Sequence, residues 1–211
     1  MLKHFKSLVY LIVLIGTSAS FASSYVDFFR SVNVDDSGTV RGLLKSGFDP
    51  NTPDESGQVA LYLALRGEST KVVSVLLDHP ALKIDATNAA DETPLMMAAL
   101  RGQLDSTQKL LARGATVNRA GWTPLHYAAS GPEPKVLALL LDRGAIVDAP
   151  SPNRTTALMM AARYGSEDAV RLLRARGANL RARNDLGLNV VDFARLGGRE
   201  SLVKELEAAT R

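Results

Sequence analysis

Cysteine is absent from all 211 residues. That excludes disulfides, thiolate nucleophiles, cysteine metal sites and an acceptor thiol for lipid. Histidine is almost as scarce, with only His4, His79 and His126, which leaves little for a metal centre or for general-base chemistry. No paired carboxylates or metal-ligand spacing stand out, and the glycines fall at helix ends rather than in a phosphate-cradling loop. Catalytic residues, metal ligands and cofactors are therefore all expected to be none. A hydrolase-type enzyme would have to work through His79, which sits in DHPALKID with Asp78 beside it and Asp85 further on. A turn after a helix is the simpler role for that segment.

The chain also has no long apolar run. Its most hydrophobic stretch, Leu8 to Ile15, follows Lys3, His4 and Lys6 and precedes the small-residue tract GTSASFA. It is far shorter than the roughly 20 residues a spanning helix requires. The three parts match a secretory signal peptide over 1–22, with cleavage expected after Ala22 and the mature domain running from 23 to 211. Export without disulfides points to the bacterial periplasm or to secretion, with no membrane attachment after cleavage.

Charge of either sign is equally unremarkable. The formal net charge is +3, and loss of Lys3 and Lys6 brings the mature chain close to neutral, so bulk charge gives no case for nucleic acid. The distribution is less even: Pro150 to Arg211 holds 11 basic and 7 acidic residues, against 12 and 15 from Ser23 to Ala149. Arg171, Arg174, Arg176, Arg181 and Arg183 dominate the basic end. They form either a steering surface for an acidic partner or an ordinary solvated helix face.

What the chain does contain is a recurring string: TPLMMAA at Thr93 to Ala99, TPLHYAA at Thr123 to Ala129 and TALMMAA at Thr156 to Ala162. Degenerate copies at Val59 to Leu65 and Asn189 to Arg195 extend the series. The shared apolar position falls at Leu61, Leu95, Leu125, Leu158 and Val191, in steps of 34, 30, 33 and 33 residues. Downstream come a leucine pair and usually a glycine, as in Leu110, Leu111 and Gly114, or Leu140, Leu141 and Gly144. In the second repeat His79 and Pro80 stand where that glycine would be. Thr123 and Pro124 suit a helix start, the threonine as N-cap and the proline at the first helical position. The paired alanines keep one helix face thin, and the glycines suit a left-handed helix stop.

The string, its period and the closing glycine resemble the ankyrin repeat, whose fingerprint includes T-P-L-H-x-A. The resemblance implies an all-α ankyrin-repeat solenoid of helix-turn-helix units with short β-turn or hairpin connections. Six units are expected, at 25–51, 52–85, 86–117, 118–148, 149–182 and 184–211. The first resembles a capping repeat in which Phe28 and Phe29 cover the end of the core. The last ends in LVKELEAATR and retains Asn189 as an N-cap. Cohesion should come from nearest-neighbour interfaces, and two capped ends favour a monomer.

The same resemblance implies a non-enzymatic protein-binding module, an adaptor in the envelope or an immunity protein that neutralises a toxin. It places contacts on hairpin tips and the exposed side of the first helices. Carried onto this sequence, those positions are Gln58, Arg66, Glu92, Leu100, Arg101, Trp122, Ser130, Thr155, Arg163 and Tyr164, which should line one concave stripe. Trp122 is the sole tryptophan, and large aromatics and arginines are favoured interface anchors. His126 is implied to tie adjacent turns together. The methionine pairs Met96–Met97 and Met159–Met160 read as core, with Met97 and Met160 the two that could reach a contact surface. The turn from Ala115 to Gly121 is about three residues shorter than its counterparts, which would leave a notch beside Trp122. Mass spectrometry of the chain secreted by a bacterial host is expected to find Ser23 at the amino terminus; a mature chain still beginning at Met1 would overturn the signal assignment.

Overall fold

The computed structural model describes residues 22–210; the signal segment expected over 1–22 lies outside them except for Ala22. The described residues are helical, with turns between the helices and no strand apart from one isolated bridge between Pro53 and Val59. They form two compact units that part between Leu82 and Lys83.

The first unit holds two helix hairpins: α1 (22–33) with α2 (Ser37–Lys45), and α3 (Ala60–Arg66) with α4 (Thr70–Leu77). Phe28 is fully buried, its ring 4.3 Å from that of Phe48 and 5.4 Å from that of Phe29. The aromatic cluster fills the end of this core, as the sequence leads one to expect of a capping hairpin. Asp35 reaches from the first hairpin to the second, where its carboxylate accepts the Val72 amide at 2.9 Å and so caps the start of α4. After Leu77, Asp78 closes α4 and the His79 amide donates to the Leu76 carbonyl. His79 and Pro80 thus replace the glycine stop used elsewhere.

The second unit stacks four hairpins: α5 (Pro94–Leu100) with α6 (Leu104–Ala112), α7 (Pro124–Ser130) with α8 (Pro134–Asp142), α9 (Ala157–Tyr164) with α10 (Glu167–Ala175), and α11 (Val190–Leu196) with α12 (Glu200–Thr210). The first helices pack in series, α5 on α7, α7 on α9 and α9 on α11, more closely than the second helices do. The alanine pairs make this possible. Ala98, Ala99, Ala128, Ala129, Ala161 and Ala162 are all buried, and their methyl groups let the helices approach without cavities.

Helix starts follow the motif. Thr93 accepts the Met96 amide at 3.2 Å, and Thr156 accepts that of Met159 at 3.4 Å. Asn189 accepts the amides of Val191 and Asp192, while Asp192 returns a bond from the Asn189 amide at 3.0 Å, a reciprocal capping box. Helix stops follow it too: Gly114, Gly144 and Gly177 have φ of 82°, 83° and 85°, the left-handed region in which glycine meets no steric penalty.

Within each unit, short polar side chains join the loop of one hairpin to the loop of the next. In the second unit Asp85 accepts the Thr116 amide and hydroxyl, Asn118 accepts the Ile146 amide at 2.9 Å, and Asp148 accepts the Asn179 amide at 3.0 Å. Asn51 does the equivalent in the first unit by donating to the Ala81 carbonyl at 2.9 Å. At the end of the stack Arg199 extends its Nη1 to the carbonyls of Ala161, Ala162 and Gly165, at 2.9, 3.1 and 2.9 Å. A guanidinium from the last hairpin thereby caps the C-terminus of α9, sharing the Ala161 carbonyl with the Gly165 amide.

Closest approach occurs at Gly165, just beyond α9, where an added Cβ would lie 2.1 Å from the Ala129 carbonyl oxygen of the preceding hairpin. Gly42, inside α2, has nothing within 4 Å of such a Cβ. In urea melts, Gly165→Ala is expected to cost about 3 kcal/mol by forcing two first helices apart. Gly42→Ala should be neutral or stabilise by up to about 1 kcal/mol. Equal effects of the two would refute backbone approach as the limit on packing.

Candidate functional site

The site is assembled from the motif outward. Leu125 is buried and anchors α7, which fixes His126 one residue on. The His126 Nε2 lies 3.0 Å from the Thr155 carbonyl of the next hairpin. A carbonyl only accepts, so Nε2 carries the proton, and Nδ1 is left to accept the Thr123 hydroxyl at 2.9 Å and the Thr123 amide at 3.2 Å. The histidine therefore ties neighbouring turns together, and the Thr123 hydroxyl, expected as a cap for the backbone, donates to the imidazole. Burial holds the His126 pKa below its ordinary value, opposed in part by hydrogen bonds to the Thr155 and Ala149 backbone, and keeps the ring neutral.

Trp122 packs edge-to-face on that ring, with centroids 5.2 Å apart and planes at 80°. An indole on the surface thus takes its orientation from a buried histidine. Two cavities open beside it. One, of about 260 Å³, is walled by Leu100, Trp122, Tyr127, Ser130, Met160 and Tyr164. The other, of about 320 Å³, shares Trp122, Met160 and Tyr164 and adds Arg163, Leu186 and Phe193. Together they make one apolar groove across the first helices of the second unit. Tyr164, Leu186 and Leu196 remain 56%, 79% and 54% exposed on it.

Six of the ten residues expected at a contact surface line this groove: Leu100, Trp122, Ser130, Thr155, Arg163 and Tyr164. Thr155 does so from beneath, at 2% exposure, with its carbonyl engaged by His126. Glu92 instead orients a wall residue, accepting the Tyr127 hydroxyl at 2.8 Å and the Asn88 amide at 2.8 Å. Arg101 is exposed where α5 ends and lines neither cavity. Gln58 and Arg66 lie in the first unit, joined to each other by a 2.9 Å hydrogen bond.

Of the methionines, Met96, Met97 and Met159 are buried. Met160 alone among these four reaches the groove. Sequence reasoning missed Tyr127, although it holds the same motif position as Met160. It also missed Leu186, a leucine in a turn, where periodicity carries no signal.

The basic end is largely self-neutralised. Arg171 pairs with Asp168 and Glu167, Arg174 with Glu205, and Arg176 with Asp142 at 2.9 Å. Arg183 donates to the Gly187 carbonyl. Arg171, Arg174 and Arg176 thus form a solvated, paired face, whereas Arg181 and Arg183 pair with no carboxylate among the described residues. Asp85, which follows His79 in the sequence, is committed to Thr116, and among the described residues no cluster of histidine and carboxylates is arranged to hold a metal.

Helix hairpins stacked through their first helices define an α-helical repeat protein. A statistical model described as ankyrin repeats in three copies matches residues 29–120 and 95–184, and the chain belongs to the ankyrin-repeat family. It is 32% identical over 152 residues to the nuclear factor NF-kappa-B p105 subunit of Gallus gallus, covering 69% of this chain and 16% of that protein. It is 32% identical over 130 residues to the ankyrin repeat and SAM domain-containing protein 6 of Rattus norvegicus, covering 59% and 15%. The chain thus spans less than a fifth of the length of these relatives. Among solved structures, a chain in a complex of a predatory endopeptidase from Bdellovibrio bacteriovorus with an immunity protein superposes with a TM-score of 0.74 and 25% identity. That match covers 86% of this chain and 97% of the other.

Neutral His126 makes stability depend on pH. Its pKa is depressed in the folded state, so the unfolded chain takes up a proton first as pH falls past about 6.5. The stabilisation is complete above that value and is lost as pH drops toward the lower folded-state pKa. Thermal melts between about pH 7.5 and 5.5 should show a falling Tm for the wild type and a shallower fall for His126→Gln; identical slopes would remove this residue as the source.

Proposed function

We propose that this chain is a non-enzymatic protein-interaction module of the bacterial envelope, periplasmic or secreted after cleavage following Ala22, that holds one partner protein through the face carrying Trp122. The observation behind this reading is the groove itself. It gathers an oriented tryptophan, an exposed tyrosine, a methionine and an arginine on one side of a rigid helical stack. That composition is typical of interface centres, where aromatic and arginine anchors carry most of the binding energy. Ankyrin-repeat relatives provide the setting, since the fold supplies a framework and leaves the contacting side chains free.

A second reading, an immunity protein that neutralises a toxin in the same compartment, is favoured by one specific observation. The solved chain that this one matches over nearly its whole length belongs to a complex of an endopeptidase and an immunity protein. Stoichiometric inhibition of a peptidase encoded beside this gene would distinguish that role from an adaptor. Neither role requires catalysis by this chain.

The test is affinity capture from the bacterial envelope fraction, comparing wild type with a Trp122→Ala, Arg163→Ala double variant. Loss of two anchors is expected to reduce recovery of the specific partner by about tenfold or more. Equal recovery of every captured protein by both would refute this face as the binding site.

A further inference from the structure

The two cavities beside Trp122 differ in one respect that bears on what fills them. The first is lined by no charged side chain, since His126 at its floor is neutral. In the second, Arg163 is the one charged residue of the lining. Its guanidinium lies over the Tyr164 ring, 4.9 Å from the centroid, and forms no ion pair among the described residues. It contrasts with its neighbours Arg171, Arg174, Arg176 and Arg195, all held by carboxylates. An always-ionised fork with planar donors, half-buried against an aromatic face, suits a carboxylate from outside.

Size narrows the occupant further. Pockets for drug-sized ligands run from about 300 to 1,000 Å³, and these two, at about 260 and 320 Å³, sit at or below the bottom of that range. They are separated only by the Trp122, Met160 and Tyr164 wall that both share. Each has room for one large side chain, and the pair suits two side chains of a single short segment.

We propose that the groove seats a short acidic and apolar segment of the partner: two large apolar side chains, one per cavity, with an Asp or Glu next to the second that pairs with Arg163. This rests on the reading that a protein partner uses this face and gives that partner its local chemistry. Met160, unbranched and polarizable, adapts the shared wall to aromatic or aliphatic occupants. Trp122, held by His126, supplies a rigid surface whose ordering costs little entropy on binding. Specificity against basic segments follows from Arg163 itself, because a lysine brought beside it would add like-charge repulsion in a partly dry site.

The experiment uses the mature chain as bait for phage-displayed random dodecapeptides. Selected peptides are synthesised and titrated by the fluorescence of the only tryptophan, Trp122. Expected sequences carry two large apolar residues flanking or preceding Asp or Glu. Exchanging that acid for Lys should weaken binding about tenfold or more, Arg163→Gln should abolish the preference, and Arg163→Glu should reverse it toward basic peptides. Far-UV circular dichroism and the urea midpoint verify that the variants stay folded. Selection of basic or charge-free peptides, or an acid preference that survives Arg163→Glu, would overturn the proposal. So would concentration-dependent self-association abolished by Trp122→Ala, which would put a second copy of the chain in the groove. Failure here with Trp122-dependent capture from the envelope intact would remove only the acidic and apolar chemistry. Success here with capture independent of Trp122 would instead remove the functional reading.

Discussion

Contact between the backbones of successive first helices is the constraint on which the second unit depends. The α7 and α9 hairpins are so close that no Cβ fits at Gly165, and alanines occupy the facing positions because anything larger would hold the helices apart. Closeness at this level aligns the rest. It brings the Thr155 carbonyl within reach of His126, sets Asp148 under the Asn179 amide, and allows Arg199 to span three carbonyls of an earlier hairpin. The polar bonds do not create the stack by themselves; each is a modest gain that becomes available once apolar packing has fixed the spacing.

The groove inherits its rigidity from the same source. His126 is immobilised by two turns, Trp122 leans on His126, and Tyr127 is held by Glu92. The residues that make the fold and those that shape the groove thus alternate within a few positions of one string. The fold-making residues face the neighbouring hairpins, and the intervening ones face outward. This arrangement gives a preorganised surface without any loop having to order on binding.

Much of this was legible in the sequence. The string TPLHYAA carries its own instructions for a proline-led helix start, a core anchor, an inter-turn tie and a thin helix face, and the 33-residue spacing shows that such pieces stack. The location of the groove was legible through Trp122 and the residues around each motif, because helical register alone decides which side they occupy. Three things were not. The roles of Glu92 and Thr155 depend on partners 35 and 29 residues away, beyond any local pattern. Leu186 lies in a turn, where exposure is set by the path of the chain. Arg174 and Arg176 read as part of a single positive block because their carboxylate partners, Glu205 and Asp142, come from other helices. Composition counts charges, and only the fold pairs them.

The bonds that cross from hairpin to hairpin have an evolutionary corollary. Donor and acceptor of each tie belong to different repeats: Asp148 and Asn179, His126 and Thr155, Arg199 and the end of α9. One half of each such pair is a main-chain group, the Asn179 amide, the Thr155 carbonyl or the carbonyls that end α9, so a duplicated or exchanged module would meet its partner group in whichever hairpin it lands against. Recombination at repeat boundaries therefore has to carry only one side chain per tie, which lets whole hairpins be gained or lost with their junctions intact.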